Sequence, residues 1–162
     1  MATPERELYE PFRPRFVRYV AVGSIVAAVA GLAVLLVAAP GTAGQGYTPS
    51  SGTGMVVVVL AGIAFLWRQA TVRADVDETT ITVRNLIVVR SFAWEQVLAV
   101  TFGSGDPWVM LELADGTRHP VMGIQRADGA HAARDAQRLA TLVALHGEAD
   151  EGDDGRSLDR PR

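Results

Sequence analysis

The chain has 162 residues with 15 Arg, no Lys and no Cys, a formal net charge of −3 and a mean hydropathy of +0.18. The lack of Cys excludes a disulfide scaffold and any thiolate metal site. Charge is segregated along the chain: none of the 49 residues from Tyr19 to Trp67 is Asp, Glu, Lys or Arg, which leaves the 80 residues Arg68 to Gly147 for one small water-soluble core and no multidomain enzyme.

Residues 1–18 mix Glu5, Glu7 and Glu10 with Arg13, Arg15 and Arg18 and read as a cytoplasmic N-terminal segment, mobile over its first 11 residues. Tyr19 to Ala39 is a run of 21 apolar or small residues. As a helix it spans about 31 Å, against about 30 Å of bilayer hydrocarbon. Pro40 and Gly41 end it, and Gly41 to Gly54, with five Gly and Pro49, reads as a connection. A second apolar run, Met55 to Trp67, reaches 18 residues when counted from Ser50. The expectation is a transmembrane hairpin within 19–67, with helices of about 17–39 and 50–67. A cleaved signal peptide is the rival reading of the first run, but that run exceeds the usual 7–15 residues and its leading segment is acidic as well as basic.

Arg13, Arg15 and Arg18 precede the first run, Arg68 and Arg73 follow the second, and the loop between has no charge. The positive-inside rule then makes this a multi-pass protein of the cytoplasmic membrane with both termini in the cytoplasm. These five arginines are read as topology signals that can also touch lipid headgroups. Gly23, Ala27 and Gly31 recur on one face of the first helix, and Gly62 lies on the second. Small residues at such spacing let helices approach closely, within the hairpin or with a neighbour.

After Trp67 the pattern becomes short and alternating. Strands are expected at Ala70–Val76, Thr79–Arg84, Leu86–Arg90, Val97–Phe102, Trp108–Leu113 and Thr117–Met122, with Asp115-Gly116 as a two-residue hairpin turn. Asp128 can cap a helix from about Gly129 to His146, closed by Gly147, whose apolar face (Ala132, Ala136, Leu139, Val143) suits one open end of the sheet. Residues 148–162, with six acids and three Arg, carry the whole net charge and read as a disordered acidic tail. The fold class is therefore α+β: a helical hairpin, a small antiparallel β-barrel or sandwich over 68–147, and a capping C-terminal helix.

The segments R-S-F-A-W-E-Q-V (Arg90 to Val97) and W-V-M-L-E-L-A-D-G-T-R-H-P-V-M-G-I-Q-R-A-D-G (Trp108 to Gly129) sit after two membrane helices and before a closing helix. That order resembles actinobacterial membrane proteins carrying a bacterial pleckstrin-homology domain, of the low molecular weight protein antigen 6 type. The resemblance runs from about Phe12 to Leu145. It implies a pleckstrin-homology-like barrel capped by a helix, and no established enzymatic activity.

The residues offer no catalytic constellation, metal site or cofactor motif. His131 and His146 lie about 22 Å apart on a helix, too far to share a metal. His119 beside Asp115 has no nucleophile motif with it and reads as a surface strand residue. Glu95 and Glu112 stand where strand ends and solvent faces expect charge. In eukaryotic relatives, bases around the first hairpin grip phosphoinositides. Here that hairpin carries Asp75, Asp77 and Glu78, and residues 68–147 hold 8 Arg against 9 acids. Phosphoinositide binding is therefore not supported, and neither is nucleic acid.

The expected partners are the bilayer and other membrane proteins or a second copy. The expected contact surface is Asp106, Pro107 and Trp108, although Trp108 also fits a core position. The sequence thus suggests a non-enzymatic, membrane-anchored interaction module, or alternatively a small accessory subunit of a membrane transport or envelope-biogenesis complex.

Overall fold

The computed structural model describes residues 8–38 and 49–154. They fall into two units, one within 15–71 and the other made of 8–14 with 72–154, and each is treated by itself.

The first unit is a helical pair, α1 (Arg15–Ala38) and α2 (Pro49–Ala70). Each is a few residues off its expected bounds, because Arg15 at one end and Arg68, Gln69 and Ala70 at the other are good helix formers that extend the apolar runs. The two helices pack together. The less exposed positions include Ala21, Ile25, Ala28, Leu32 and Leu35 on α1, and Val56, Val59, Ile63 and Leu66 on α2. Both sets repeat in alternating steps of four and three, the spacing of a seam between two helices. Gly23, Ala27, Gly31 and Gly62 lie off that seam on exposed faces. A Cβ added at Gly23, Gly31 or Gly62 would meet nothing within 4 Å. The expectation that these residues bring α1 and α2 together is thus corrected: the less exposed seam is a mixture of small residues, Ala21, Ala28 and Gly52, with the aliphatic side chains of Ile25, Leu32, Leu35, Val56, Val59, Ile63 and Leu66.

The second unit holds two three-stranded antiparallel sheets, β1 (Arg73–Val76), β2 (Thr80–Arg84) and β3 (Val89–Ala93) in one, and β4 (Val97–Thr101), β5 (Trp108–Leu113) and β6 (Arg118–Gln125) in the other. A short 3₁₀ turn, Trp94–Gln96, joins them, another spans Arg126–Asp128, and α3 (Ala130–Asp154) follows. Period-two alternation turns Ala74 and Val76, Ile81 and Val83, and Val109, Leu111 and Leu113 into one core, closed by Ala132, Leu139 and Leu142 of α3. The sheets share no ladder, so of barrel and sandwich the described residues form the sandwich, and no closed barrel.

Four local expectations are corrected. Strand β3 starts at Val89, not Leu86, because the amide of Asn85 bonds Val88 O at 2.9 Å and closes a turn that lifts the aliphatic residues 86–88 out of the ladder. The Asp115-Gly116 hairpin has three loop residues, not two. Gly116 N donates to Leu113 O at 2.9 Å, and Leu113 N to Thr117 O at 2.9 Å, with Gly116 at φ +80° as the residue such a bulged turn needs. Helix α3 begins at Ala130, after Gly129 at φ +57°, and continues through Gly147 to Asp154. Its two glycines, Gly147 and Gly152, cost about 1 kcal/mol each at most, and good helix formers such as Glu148, Ala149 and Glu151 stand between them. Residues 148–154 are therefore helical where disorder was expected, and 155–162 lie outside the described residues.

The N-terminal segment is the fourth. Phe12 exchanges two backbone hydrogen bonds with Ala74, at 2.8 and 2.9 Å, and its side chain is wholly buried in the core. Pro14 is also buried, and the Arg138 guanidinium lies 3.9 Å over the Phe12 ring. Gly123 of β6 makes this approach fit: a Cβ there would stand 2.9 Å from both Ala74 N and Phe12 O. Gly123→Ala is therefore expected to destabilise the folded protein by about 1–3 kcal/mol, read by denaturant unfolding, while Gly105→Ala, where a Cβ meets nothing, should be near neutral.

Candidate functional site

Each histidine of the domain is placed by packing. In β6, His119 pairs opposite Leu111 and shares the inward face of Val121, as period two requires. Its ring lies 4.9 Å from the Phe92 ring, and its Nε2 is buried with no hydrogen-bond partner among the described residues. The surface position expected from sequence is corrected: the strand phase outweighs the polarity of the side chain. Burial, and secondarily the charge of Arg90, hold the His119 pKa below the usual imidazole value. On α3, His131 Nε2 stands 3.3 Å from Asp135 Oδ2. His146 stacks on the Trp94 ring at 5.1 Å, nearly parallel, and shares a hydrogen bond of 3.1 Å with the Tyr9 hydroxyl. That Tyr9–His146–Trp94 cluster ties the N-terminal segment, α3 and the inter-sheet turn together. Nothing in local sequence announced it, since its members are separated by 137 positions at the extreme.

Carboxylates serve the turns. Asp77 accepts from the amide of Thr79 at 2.9 Å and of Thr80 at 2.8 Å, and from both hydroxyls, and its pKa falls to about 2, chiefly through the Thr79 amide. Asp115 is likewise held below the usual carboxylate range, first by the Thr117 hydroxyl and then by its amide, with Arg90 adding least. Glu112 stands 3.7 Å from Arg118 on the outer face of the second sheet, and Glu95 is exposed in the 3₁₀ turn. The two are not drawn into one site. Among the described residues no three His, Asp or Glu gather as metal ligands.

The expected contact loop is a built turn. Asp106 Oδ2 accepts from Gly103 N at 2.9 Å, and Arg126 clasps the loop from β6's end: Nε to Asp106 O at 2.7 Å, Nη2 to Gly103 O, and backbone N to Pro107 O at 2.9 Å. The Arg126 guanidinium also covers the Phe102 ring at 4.5 Å. Asp106 is thus a turn former, while Pro107 is exposed and Trp108 is half-buried on the outer face of β5 with Met110 and Glu112. Of the flanking arginines, Arg13, Arg15, Arg18 and Arg68 are exposed, and Arg73 bonds Asp75 at 2.7 Å.

An exposed aliphatic segment lies at the β2–β3 turn. Leu86, Ile87, Val88 and Val89 were expected inside a strand; here Ile87 is 81% exposed, Val88 44% and Val89 50%, between exposed Arg84 and Arg90. Beneath this tip Asn85 is buried and joins the two sheets, its Nδ2 donating to Pro120 O at 2.7 Å and its Oδ1 accepting from Met122 N at 3.1 Å.

The sequence profile of the bacterial PH domain matches residues 71–141, the span from the start of β1 into α3. Uncharacterized proteins of Mycobacterium tuberculosis and Mycobacterium bovis are 33% identical to this chain over 121 residues, covering 75% of it and 77% of each relative. No solved structure matches.

Two outcomes test this geometry. Asn85→Ala leaves Pro120 O and Met122 N–H without their partner and is expected to cost about 2–3 kcal/mol in unfolding free energy. Because the folded His119 pKa lies below that of the unfolded chain, its contribution to stability is complete above about pH 6.5 and is lost as the pH falls toward the lower folded value. His119→Gln should therefore flatten the fall in stability below about pH 6.5, measured by unfolding titrations at a series of pH values.

Proposed function

The chain belongs to the bacterial PH-domain family, and from that premise we propose that it is a non-enzymatic interaction module anchored in the cytoplasmic membrane by α1 and α2. The matched family is no enzyme family. One observation carries the anchoring: both helices are long and apolar enough to cross a bilayer and bury almost none of that apolar surface within the protein. A core helix of a soluble protein is mostly buried, so the exposed valines and leucines of α1 and α2 are left for lipid. Arg13, Arg15, Arg18, Arg68 and Arg73 border the uncharged stretch, which supports a cytoplasmic position for both termini and for the domain.

Only Thr71 and Val72 separate α2 from β1, so the domain works within about 10 Å of chain from the end of the second helix. Confinement of that kind raises its effective concentration toward other membrane proteins. Pro107 and Trp108 offer the outward contact surface on the domain. The second reading, an accessory subunit of a membrane transport or envelope-biogenesis complex, draws on the exposed small residues Gly23, Ala27, Gly31 and Gly62, which leave α1 and α2 faces shaped for close approach by another helix.

Labelling of introduced cysteines in intact cells tests the topology: Thr48→Cys should react with a membrane-impermeant reagent and Thr117→Cys should not. Reaction of Thr117→Cys would place the domain outside and overturn the reading. Cross-linking in native membranes separates the two functions. Partners lost in Trp108→Ala and kept in Gly31→Leu support the module, and the reverse pattern supports the subunit.

A further inference from the structure

We propose that the β2–β3 tip, Leu86 to Val89, inserts into the polar–apolar boundary of the anionic bilayer that holds α1 and α2, with Arg84 and Arg90 on headgroup phosphates. Three observations converge on it. The tip is wholly aliphatic, and its consecutive residues Ile87, Val88 and Val89 are all exposed, Ile87 to 81%, a burial state that water disfavours; the domain's other exposed aliphatics, Leu98 and Leu145, stand singly. Exposed arginines flank it on both sides, and neither Arg84 nor Arg90 makes a salt bridge among the described residues. An apolar wedge between guanidinium groups is the composition that settles at a membrane interface, the wedge among acyl chains and the cations among phosphates.

The third observation is register. Arg73 pairs with Arg84, and Arg84 with Val89, so the tip stands at the end of its sheet where β1 begins. That is the end at which the chain arrives from α2, two residues earlier. The opposite end of the same strands, at Asp77, Glu78 and Thr79, is acidic and lacks an apolar tip.

A second copy is a poor occupant. An isologous contact through the tip would bring Arg84 and Arg90 of both copies together, with Asp115, the carboxylate that feels Arg90, already satisfied by Thr117. The bilayer offers phosphates for the arginines and acyl chains for the tip at once. The mode differs from a headgroup pocket, since it needs no cluster of bases in a cavity. Pre-ordering favours it too: the Asn85 side chain fixes the base of the tip to β6, so little chain freedom is lost on insertion.

The inference rests on the membrane-anchored reading, and the test separates the two. The chain has no Cys, so single Ile87→Cys, Glu78→Cys and Val29→Cys variants of the full chain can each carry one bimane label in phosphatidylcholine–phosphatidylglycerol vesicles. Lipid brominated on its acyl chains is expected to quench the labels at positions 29 and 87, and aqueous iodide the label at 78. Adding Val88→Asp should reduce bromine quenching at position 87 about tenfold, because it drives a carboxylate into the boundary. If position 29 is quenched and position 87 responds to iodide like 78, insertion is overturned and anchoring stands. If position 87 is shielded from both quenchers, the tip is covered by protein and insertion is overturned as well. Loss of bromine quenching at position 29 would overturn anchoring and insertion together.

Discussion

Two backbone hydrogen bonds between Phe12 and Ala74 decide how this chain is organised. Phe12 precedes the helical pair and Ala74 follows it, so the bridge closes a loop that contains all of α1 and α2. The excursion leaves the domain after Pro14 and rejoins it at Val72, with both of these residues buried. Its two ends are pinned to one strand edge. Under the proposed anchoring, such a closed loop permits an even number of bilayer crossings, because a single crossing would leave the bridge partners on opposite sides. The arginine distribution and the Phe12–Ala74 bridge are independent in origin, one a bias of charge along the sequence and the other backbone pairing within the domain, and they favour the same proposed arrangement.

Closing the loop also completes the core. A sandwich of two three-stranded sheets has open ends, and a domain of this size buries too little apolar surface to leave them wet. Phe12 fills one gap beside β1 and α3 covers another through Ala132, Leu139 and Leu142. The Arg138 guanidinium on the Phe12 ring and the Tyr9–His146–Trp94 cluster hold segment and helix against each other. Such contacts act where charge is partly desolvated and each added group excludes water from the next, so their effects are coupled rather than additive.

Much of this was legible in the residues, for identifiable reasons. Alternation in Trp108–Leu113 places Val109, Leu111 and Leu113 on one face because the strand period is two. The uncharged runs mark α1 and α2 because length and apolarity suffice. The misses share a cause: a local signal overruled by a distant partner. Leu86 to Val89 has strand composition, yet the Asn85–Val88 turn and the Asn85 link to β6 set where the strand begins. His119 is polar, yet its phase with Val121 turns it inward. Phe12 sits in a segment whose charges suggest mobility, and only its pairing with a residue 62 positions later shows it to be core. Gly103 to Pro107 has turn composition, and Asp106 caps Gly103 three residues back, but the clasp of that loop by Arg126 lies 20 positions away and leaves no local signal.

The same distinction bears on where recognition resides. Asp77, Asp106 and Asp115 spend their acceptor capacity on neighbouring amides and hydroxyls, and Arg126 and Arg73 are committed to the loop and to Asp75. A group already satisfied at these distances gains little by exchanging its partner for an external one. What the domain presents outward is therefore set less by its number of charges than by which of them the fold leaves uncommitted. At the β2–β3 tip the fold buries the polar residue, Asn85, and exposes the aliphatic Ile87, Val88 and Val89, the reverse of the usual surface turn. Turn chemistry alone would be served by Gly, Asn or Asp at positions 86–88. Exposing Ile87 and Val88 there has a cost in water that the proposed insertion would remove, and the register of β1 against β2 sets the tip at the end of the sheet where β1 begins.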